Sequence, residues 1–78
     1  MSTSPLAQAK PGDRCVVLEI APEPPEMKSR LYSLGIIPGS ALQILRFAPL
    51  GDPMQVKVGS SFISIRRAEA EIIKVDIQ

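Results

Sequence analysis

Two clusters of glycine and proline, at residues 35–39 and 49–53, constrain this 78-residue chain more than any other feature. Before the first cluster, Met27, Leu31 and Leu34 lie at i, i+4 and i+7, the spacing of one helical face. A glycine follows directly, at a place where helices commonly end in a left-handed residue. The residues between the clusters are rich in the branched and aromatic side chains that strands favour. The pattern therefore predicts a helix end, a turn, a strand and a second turn.

Turn signals and apolar alternation predict five short strands along the whole chain. They cover residues 15–20, 40–48, 54–58, 62–66 and 71–77. A glycine-serine pair at 59–60 fits the two-residue turn of a hairpin between the third and fourth strands. In the first strand, Val16, Leu18 and Ile20 are predicted to share one side, and the other side is partly apolar too.

Two helical segments are predicted between these strands. The first covers about residues 25–34, because Pro25 has the fixed φ of a first helical turn. Glu26 adds a negative charge that is favourable near a helix N-terminus. The second is a single turn of 3₁₀ or α helix over residues 67–70, before the last strand.

Short antiparallel strands joined by tight turns are typical of a small closed barrel, because closure removes the edges that such strands would expose. The fold class predicted is mainly β, a five-stranded SH3-like barrel with one inserted helix. Residues 1–10 are polar with little to bury, so they are predicted to form a flexible leader. Residues 11–78 are predicted to form the single domain.

Composition excludes several functions. The formal net charge is +1, so the chain lacks the strong positive field by which nucleic-acid binders collect phosphates. Cys15 is the single cysteine and histidine is absent, which excludes an internal disulfide, a zinc finger and a Cys/His nucleophile site. Residues 1–10 contain no apolar run of the length of about seven residues that a signal peptide needs, so neither a signal peptide nor membrane insertion is predicted, and the expected location is the cytoplasm.

The carboxylates are scattered along the chain and are predicted to be exposed, solubilising charges. Glu23 and Glu26 leave open a weak, oxygen-ligated divalent metal site, and no other cofactor is predicted. A phosphate-binding glycine loop with its lysine is missing. The sequence therefore predicts a protein that is not an enzyme.

Three motifs carry a resemblance to a known family: LYSLGIIPGS at residues 31–40, APLGDP at 48–53 and IRRAEA at 65–70. Together they resemble the FeoA family over roughly residues 11–75. The resemblance implies a small SH3-like protein of the cytoplasm that assists FeoB. FeoB is the membrane ferrous-iron transporter whose cytoplasmic part is a GTPase. The implied function is that of an accessory protein in ferrous iron uptake.

The inserted helix and the 49–53 loop are the predicted contact surface for FeoB, because an amphipathic ridge can dock in a partner's groove. The predicted partner-binding residues are Lys28, Arg30, Leu31, Tyr32, Leu50, Asp52, Arg66 and Arg67. For the two consecutive arginines, a sharper hypothesis is an arginine finger that reaches the GTPase site. The alternative is that they are solvated or paired with a neighbouring glutamate. A further alternative is that the leucines of the helix and Met27 only plug the end of the barrel.

Other functions stay open at this point. An SH3-like adaptor for proline-rich peptides needs an aromatic groove, which three separated aromatic residues supply poorly. A transition-metal-responsive module would require carboxylates to converge. An RNA-binding barrel is disfavoured by the balanced charge. Homodimerisation stays open because the first two predicted strands are apolar on both faces.

Overall fold

The computed structural model describes residues 2–78 of the chain. Six strands and two helices make up the fold, together with one 3₁₀ turn over Leu6–Gln8. The elements are β1 (Ser2–Pro5), β2 (Arg14–Ile20), α1 (Pro25–Ser33), β3 (Ala41–Phe47), β4 (Met54–Val58), β5 (Ser61–Ile65), α2 (Arg67–Glu71) and β6 (Ile73–Ile77). The mainly β architecture, the inserted helix and the short helix before the last strand are confirmed.

All six strands lie in one antiparallel sheet with the order β1-β6-β2-β3-β4-β5. β1 and β5 are therefore its two edges. The hairpin predicted at residues 59–60 joins β4 to β5, and Val58 pairs with Ser61 across the two-residue turn. Gly59 occupies the first turn position with φ +59°, which a side chain would disfavour.

The N-terminal segment corrects the prediction of a flexible leader and of five strands. β1 pairs with β6, with Ser4 opposite Val75, and adds a sixth strand to the sheet. Directly after it, Leu6 and Ala9 are buried in the core. The ladder to β6 satisfies the backbone of this polar segment, and the burial of Leu6 anchors it. The domain therefore begins within the first ten residues.

A bulge in β2 overturns the predicted facing of the first strand. The register with β6 shifts between Val17 and Glu19, so Leu18 is the extra residue. Because a bulge moves every later side chain to the opposite face, Ile20 joins Val17 in the core. Leu18, which was predicted to share a side with Ile20, is 43% exposed. A second bulge lies in β3 at Leu45.

α1 ends where the sequence predicts. Gly35 has φ +86°, a left-handed conformation, and its N–H donates to the Tyr32 carbonyl at 3.0 Å. The N–H of Ile36 donates to the Leu31 carbonyl at 2.9 Å, which completes a Schellman motif. Leu31 and Ile36 are both fully buried, so the end of α1 is fixed by the core as well as by hydrogen bonds.

The core is filled by side chains from the strands, from α1 and from the segments that flank them. Its members are Leu6, Ala9, Cys15, Val17, Ile20, Leu31, Ile36, Leu42, Ile44, Met54, Val56, Ile65, Ala70, Ile73 and Val75. In residues 3–78, the charged side chain that is buried with them is Glu69. Because Glu69 lies in α2, this helix is part of the candidate site described below.

Candidate docking site

Glu69, in the first turn of α2, organises the part of the molecule where most of the predicted site residues lie. It is 2% exposed. Its Oε1 accepts a hydrogen bond from the Arg66 N–H at 2.9 Å, so the carboxylate caps α2. Its Oε2 accepts a hydrogen bond from Arg30 Nη1 at 2.5 Å. One buried carboxylate thus joins the start of α2 to the middle of α1.

Arg30 was predicted to contact a partner, and the structure gives its guanidinium an internal role. The side chain is 42% exposed, and its charge compensates the buried Glu69. Lys28 and Tyr32 are each two positions from Arg30. They therefore lie about 160° around the helix from it. The predicted ridge on α1 is divided into two surfaces.

The second of these surfaces is a cation–aromatic pair. Lys28 Nζ lies 5.5 Å from the centroid of the Tyr32 ring. Tyr32 is exposed, and Lys28 is half-buried. A cation at this distance is attracted by the ring face, so the two side chains hold one another in place.

The loop at residues 48–53 is closed by its own backbone. The Gly51 N–H donates to the Ala48 carbonyl at 2.7 Å, and the Ala48 N–H donates to the Pro53 carbonyl at 2.9 Å. Asp52 Oδ1 accepts a hydrogen bond from the Arg67 N–H at 3.0 Å, which ties the loop to α2. Leu50 is 96% exposed at the tip. A fixed loop therefore presents one large apolar side chain to solvent.

Four predicted residues from three separate segments are brought together with Glu69. We call this group the α2 junction, and it consists of Arg30, Asp52, Arg66, Arg67 and Glu69. Leu50 lies two positions before the Asp52 member of the group. Arg67 also lines a cavity of about 170 Å³ beside the same loop, together with Ala7, Phe47, Gly51 and Met54.

Leu31 lies apart from this surface. Its side chain is fully buried in the core and cannot reach a partner. This placement agrees with the alternative that the apolar face of α1 plugs the end of the barrel. Leu34, on the same face, packs against the core as a half-buried residue.

Glu69 was missed because the carboxylates were all predicted to be exposed. A signal was present in the sequence. Glu69 lies three residues after Arg66, the residue before α2, and a glutamate at that position typically caps a helix start. Its partner Arg30 is 39 positions away, so no local pattern could indicate the ion pair.

Across residues 2–78, no three Cys, Asp or Glu side chains come together as a group that could hold a metal ion. Cys15 is buried, and burial raises the pKa of its thiol from the usual 9.0, with Asp13 and Asp76 adding in the same direction. The thiol therefore stays neutral and weakly reactive near pH 7. Neither helix in the described part of the chain has the length and apolarity of a membrane span.

The sequence and the fold match known proteins. The model of the FeoA domain matches residues 4–77, nearly the whole chain. The chain belongs to the FeoA family. The resemblance seen in the three sequence motifs is thereby confirmed, and the FeoA family is associated with ferrous iron transport.

Solved structures of FeoA proteins support this assignment. FeoA from Chlorobium tepidum is 46% identical, with a TM-score of 0.81, and the match covers 92% of this chain and 68% of that one. The FeoA-like protein from Clostridium acetobutylicum is 26% identical, with a TM-score of 0.90 and coverage of 99% and 88%. FeoA from Stenotrophomonas maltophilia is 25% identical, with a TM-score of 0.78 and coverage of 97% and 91%. That protein is described as an SH3 domain protein complexed with zinc and put forward as a ferrous iron transport activating factor.

Proposed function

We propose that this FeoA protein is a non-enzymatic accessory protein of ferrous iron transport, and that it acts in the cytoplasm by binding the GTPase part of FeoB. Membership of the family supports the link to iron transport. The observation that carries the docking proposal is Leu50, 96% exposed on a loop that its own backbone closes. Arg66 and Arg67 lie exposed beside that loop.

Leu50 has the properties of a binding anchor. Burying a leucine side chain at an interface contributes about 1.5–3 kcal/mol. The turn hydrogen bonds of Gly51 and Ala48 order the loop before binding, so little conformational entropy is lost when a partner covers it.

The neighbouring arginines supply orientation. The Arg67 backbone is fixed by Asp52, while its side chain is exposed to solvent. Arginine can form two parallel hydrogen bonds with a carboxylate, so it favours an acidic surface on the partner. Charge of this kind raises the association rate and selects the partner more than it raises affinity. Leu50 and the arginines thus combine an apolar anchor with a charged rim.

Docking fits the chemistry of this surface better than catalysis does. The exposed residues of the site are Leu50, Asp52 and arginines, and none of them forms a nucleophile–base pair. Cys15 is buried and neutral. The arginine-finger hypothesis for Arg67 gives a distinct outcome, because a finger accelerates GTP hydrolysis in addition to binding.

The test is calorimetric binding to detergent-solubilised FeoB. Leu50→Ser and Arg67→Glu are each expected to weaken binding at least tenfold, with unchanged circular dichroism. The matched controls are Ile37→Ser, an exposed aliphatic residue on another loop, and Arg14→Glu, an exposed arginine at the start of β2. Both controls should bind as the wild type does. Wild-type affinity in Leu50→Ser and Arg67→Glu, or no binding by the wild type, would contradict the proposal.

A further inference from the structure

β5, at one edge of the sheet, lacks the protection that edge strands normally have. Its sequence is SFISI, with no proline and no charged residue. Its register with β4 is continuous over all five pairs, so no bulge distorts it. Natural edge strands are usually blunted by lysine, proline or a bulge, because a free ladder of backbone groups pairs with other chains. The edge of β5 is open to such pairing.

The opposite edge is different. β1 has four residues and ends in Pro5, which has no N–H to donate. The sequence of β1 is STSP, which is small and polar up to that proline. One edge of the sheet is thus short and interrupted, and the other is longer, regular and apolar. Of the two edges, β5 is therefore the better site for pairing with a strand of another chain.

The hairpin register identifies the backbone groups that β5 presents outward. Val58 and Ser61 flank a two-residue turn, so they form the hydrogen-bonded pair that closes the hairpin. Hydrogen-bonded and non-hydrogen-bonded pairs then alternate along an antiparallel ladder. Phe62 and Ser64 fall at the non-hydrogen-bonded positions. Their N–H and C=O groups therefore point away from β4, and no other strand in residues 2–78 pairs with them.

The side chains around this edge indicate what kind of chain would pair with it. Phe62 is 72% exposed and lies opposite Lys57 on the outer face of the sheet. Ile63, on the other face, is half-buried at the margin of the core. Residues 54–66, which cover β4, β5 and the residue directly after them, contain two cations and no carboxylate. An apolar edge strand is thus flanked by positive charge.

We propose that β5 binds an extended, acidic segment of a partner protein, which adds to the sheet as a further strand. Backbone hydrogen bonds to Phe62 and Ser64 would give affinity, as in other cases of strand addition. Acidic side chains on the outer face of the added strand would lie near Lys57 and Arg66. Apolar side chains on its other face would cover Ile63. The proposal rests on β5 and its neighbours and does not depend on binding to FeoB.

Two other occupants fit less well. A second copy of β5 would place Lys57 and Arg66 of both chains on one continuous sheet, and the added positive charge opposes self-association. Single-stranded RNA is held by several stacking aromatic residues along a strongly positive groove. In this region Phe62 is the single aromatic residue of β4 and β5. The charge and the free ladder together favour an acidic polypeptide.

The probe is a short, blocked peptide that alternates glutamate and valine, followed by amide hydrogen exchange in the full chain. Binding should slow exchange at Phe62 and Ser64 at least tenfold and leave β1 unchanged. Raising the salt concentration should weaken binding, because the charges involved are exposed. The same peptide with lysine in place of glutamate should not bind. Protection at β1, or equal binding of the lysine peptide, would overturn the proposal.

Variants of β4 and β5 separate the contribution of backbone hydrogen bonds to peptide binding from the contribution of charge. Ser64→Pro removes an outward N–H and should abolish binding, while Lys57→Glu should weaken it at least tenfold. Phe62→Glu places a negative charge on the outer face of β5, which repels an acidic strand, and should also abolish binding; Thr3→Glu is the same change on β1 and should have no effect on binding. If Ser64→Pro does not fold, the Phe62, Lys57 and Thr3 variants still decide. Tighter binding of a single-stranded RNA, or a dimer in which Phe62 is protected without peptide, would also overturn the proposal.

Discussion

Arg30 and Glu69 are 39 positions apart in the sequence, and their side chains meet at 2.5 Å. Glu69 is almost fully buried, whereas Arg30 is partly exposed to solvent. The pair joins α1, the helix inserted between β2 and β3, to α2, the helix that precedes the last strand. A residue predicted to bind a partner therefore stabilises the arrangement of the surface on which other predicted residues lie.

Replacing Arg30 by methionine should destabilise the fold by about 1–3 kcal/mol, because it leaves a buried carboxylate without its counter-charge. The partial exposure of Arg30 keeps the loss toward the lower part of that range. Urea unfolding is the measurement. Ser29→Met, at an exposed neighbouring position on α1, is the control and should be nearly neutral.

A double-mutant cycle tests whether the loss comes from the ion pair itself. Combining Arg30→Met with Glu69→Met removes both charges, so the double variant should be more stable than the sum of the single losses predicts. Additive losses would show that the two residues act independently. Arg30→Glu is therefore unsuitable for testing partner binding. It would place two carboxylates together and disturb the α2 junction directly.

Gly35 carries a second prediction, at the end of α1. Its φ of +86° is a conformation that side chains disfavour, although a Cβ there would meet no atom within 4 Å. Gly35→Ala should therefore cost about 1–2 kcal/mol from backbone strain alone. Thermal unfolding measures it, with Ser33→Ala as a control in the last turn of α1. Equal melting temperatures for Gly35→Ala and the wild type would show that the helix end relaxes freely.

The local features of the fold are the ones that the sequence predicted well. The end of α1 depends on Gly35 and its neighbours, and the β4–β5 hairpin depends on a two-residue turn. Both are determined within a few residues, so composition and spacing are sufficient. The bulge at Leu18 depends on the register with β6, which lies more than fifty residues further along the chain. No local pattern distinguishes it from a regular strand.

In the candidate site, too, the features that depend on neighbouring residues could be predicted, and those that depend on distant segments could not. Leu50 and Asp52 could be singled out because they lie in a turn with a recognisable motif. The contact of Asp52 with the Arg67 backbone and the burial of Glu69 depend on how distant segments pack. Burial also removed Leu31 from the site, since a leucine on a helix can face either the core or a partner. Exposure of a given side chain was the property that the sequence could not supply.

Substitution of Leu6 tests whether the N-terminal segment is part of the folded domain. If residues 2–9 are part of the domain, Leu6→Ala opens a cavity in the core and should cost about 2–5 kcal/mol. Gln8→Ala, at an exposed position in the same 3₁₀ turn, should change stability little. Chemical denaturation of both variants gives the comparison. A flexible leader would instead make the two substitutions equivalent.

The buried thiol of Cys15 should make the free energy of unfolding depend on pH in the alkaline range. Burial, with the added repulsion of Asp13 and Asp76, raises the pKa of the folded thiol above its usual 9.0. Below that pH the thiol is neutral in both states, and its contribution to stability is fully present. As the pH rises further, the unfolded chain releases the proton first, so the free energy of unfolding falls until the folded thiol also titrates. The decline from this one group is at most about 1.4 kcal/mol per pH unit.

Cys15→Ala separates this decline from every other alkaline effect on stability, which both proteins share. The variant should be less stable at neutral pH, because a buried side chain is shortened, but it should lose stability less steeply above about pH 9. Urea unfolding of the two proteins between about pH 8 and about pH 10 gives the slopes. Parallel slopes would mean that the folded thiol titrates like an exposed one. The same burial should make the native thiol react with an alkylating reagent far more slowly than the unfolded chain does, because the thiolate is the reactive form.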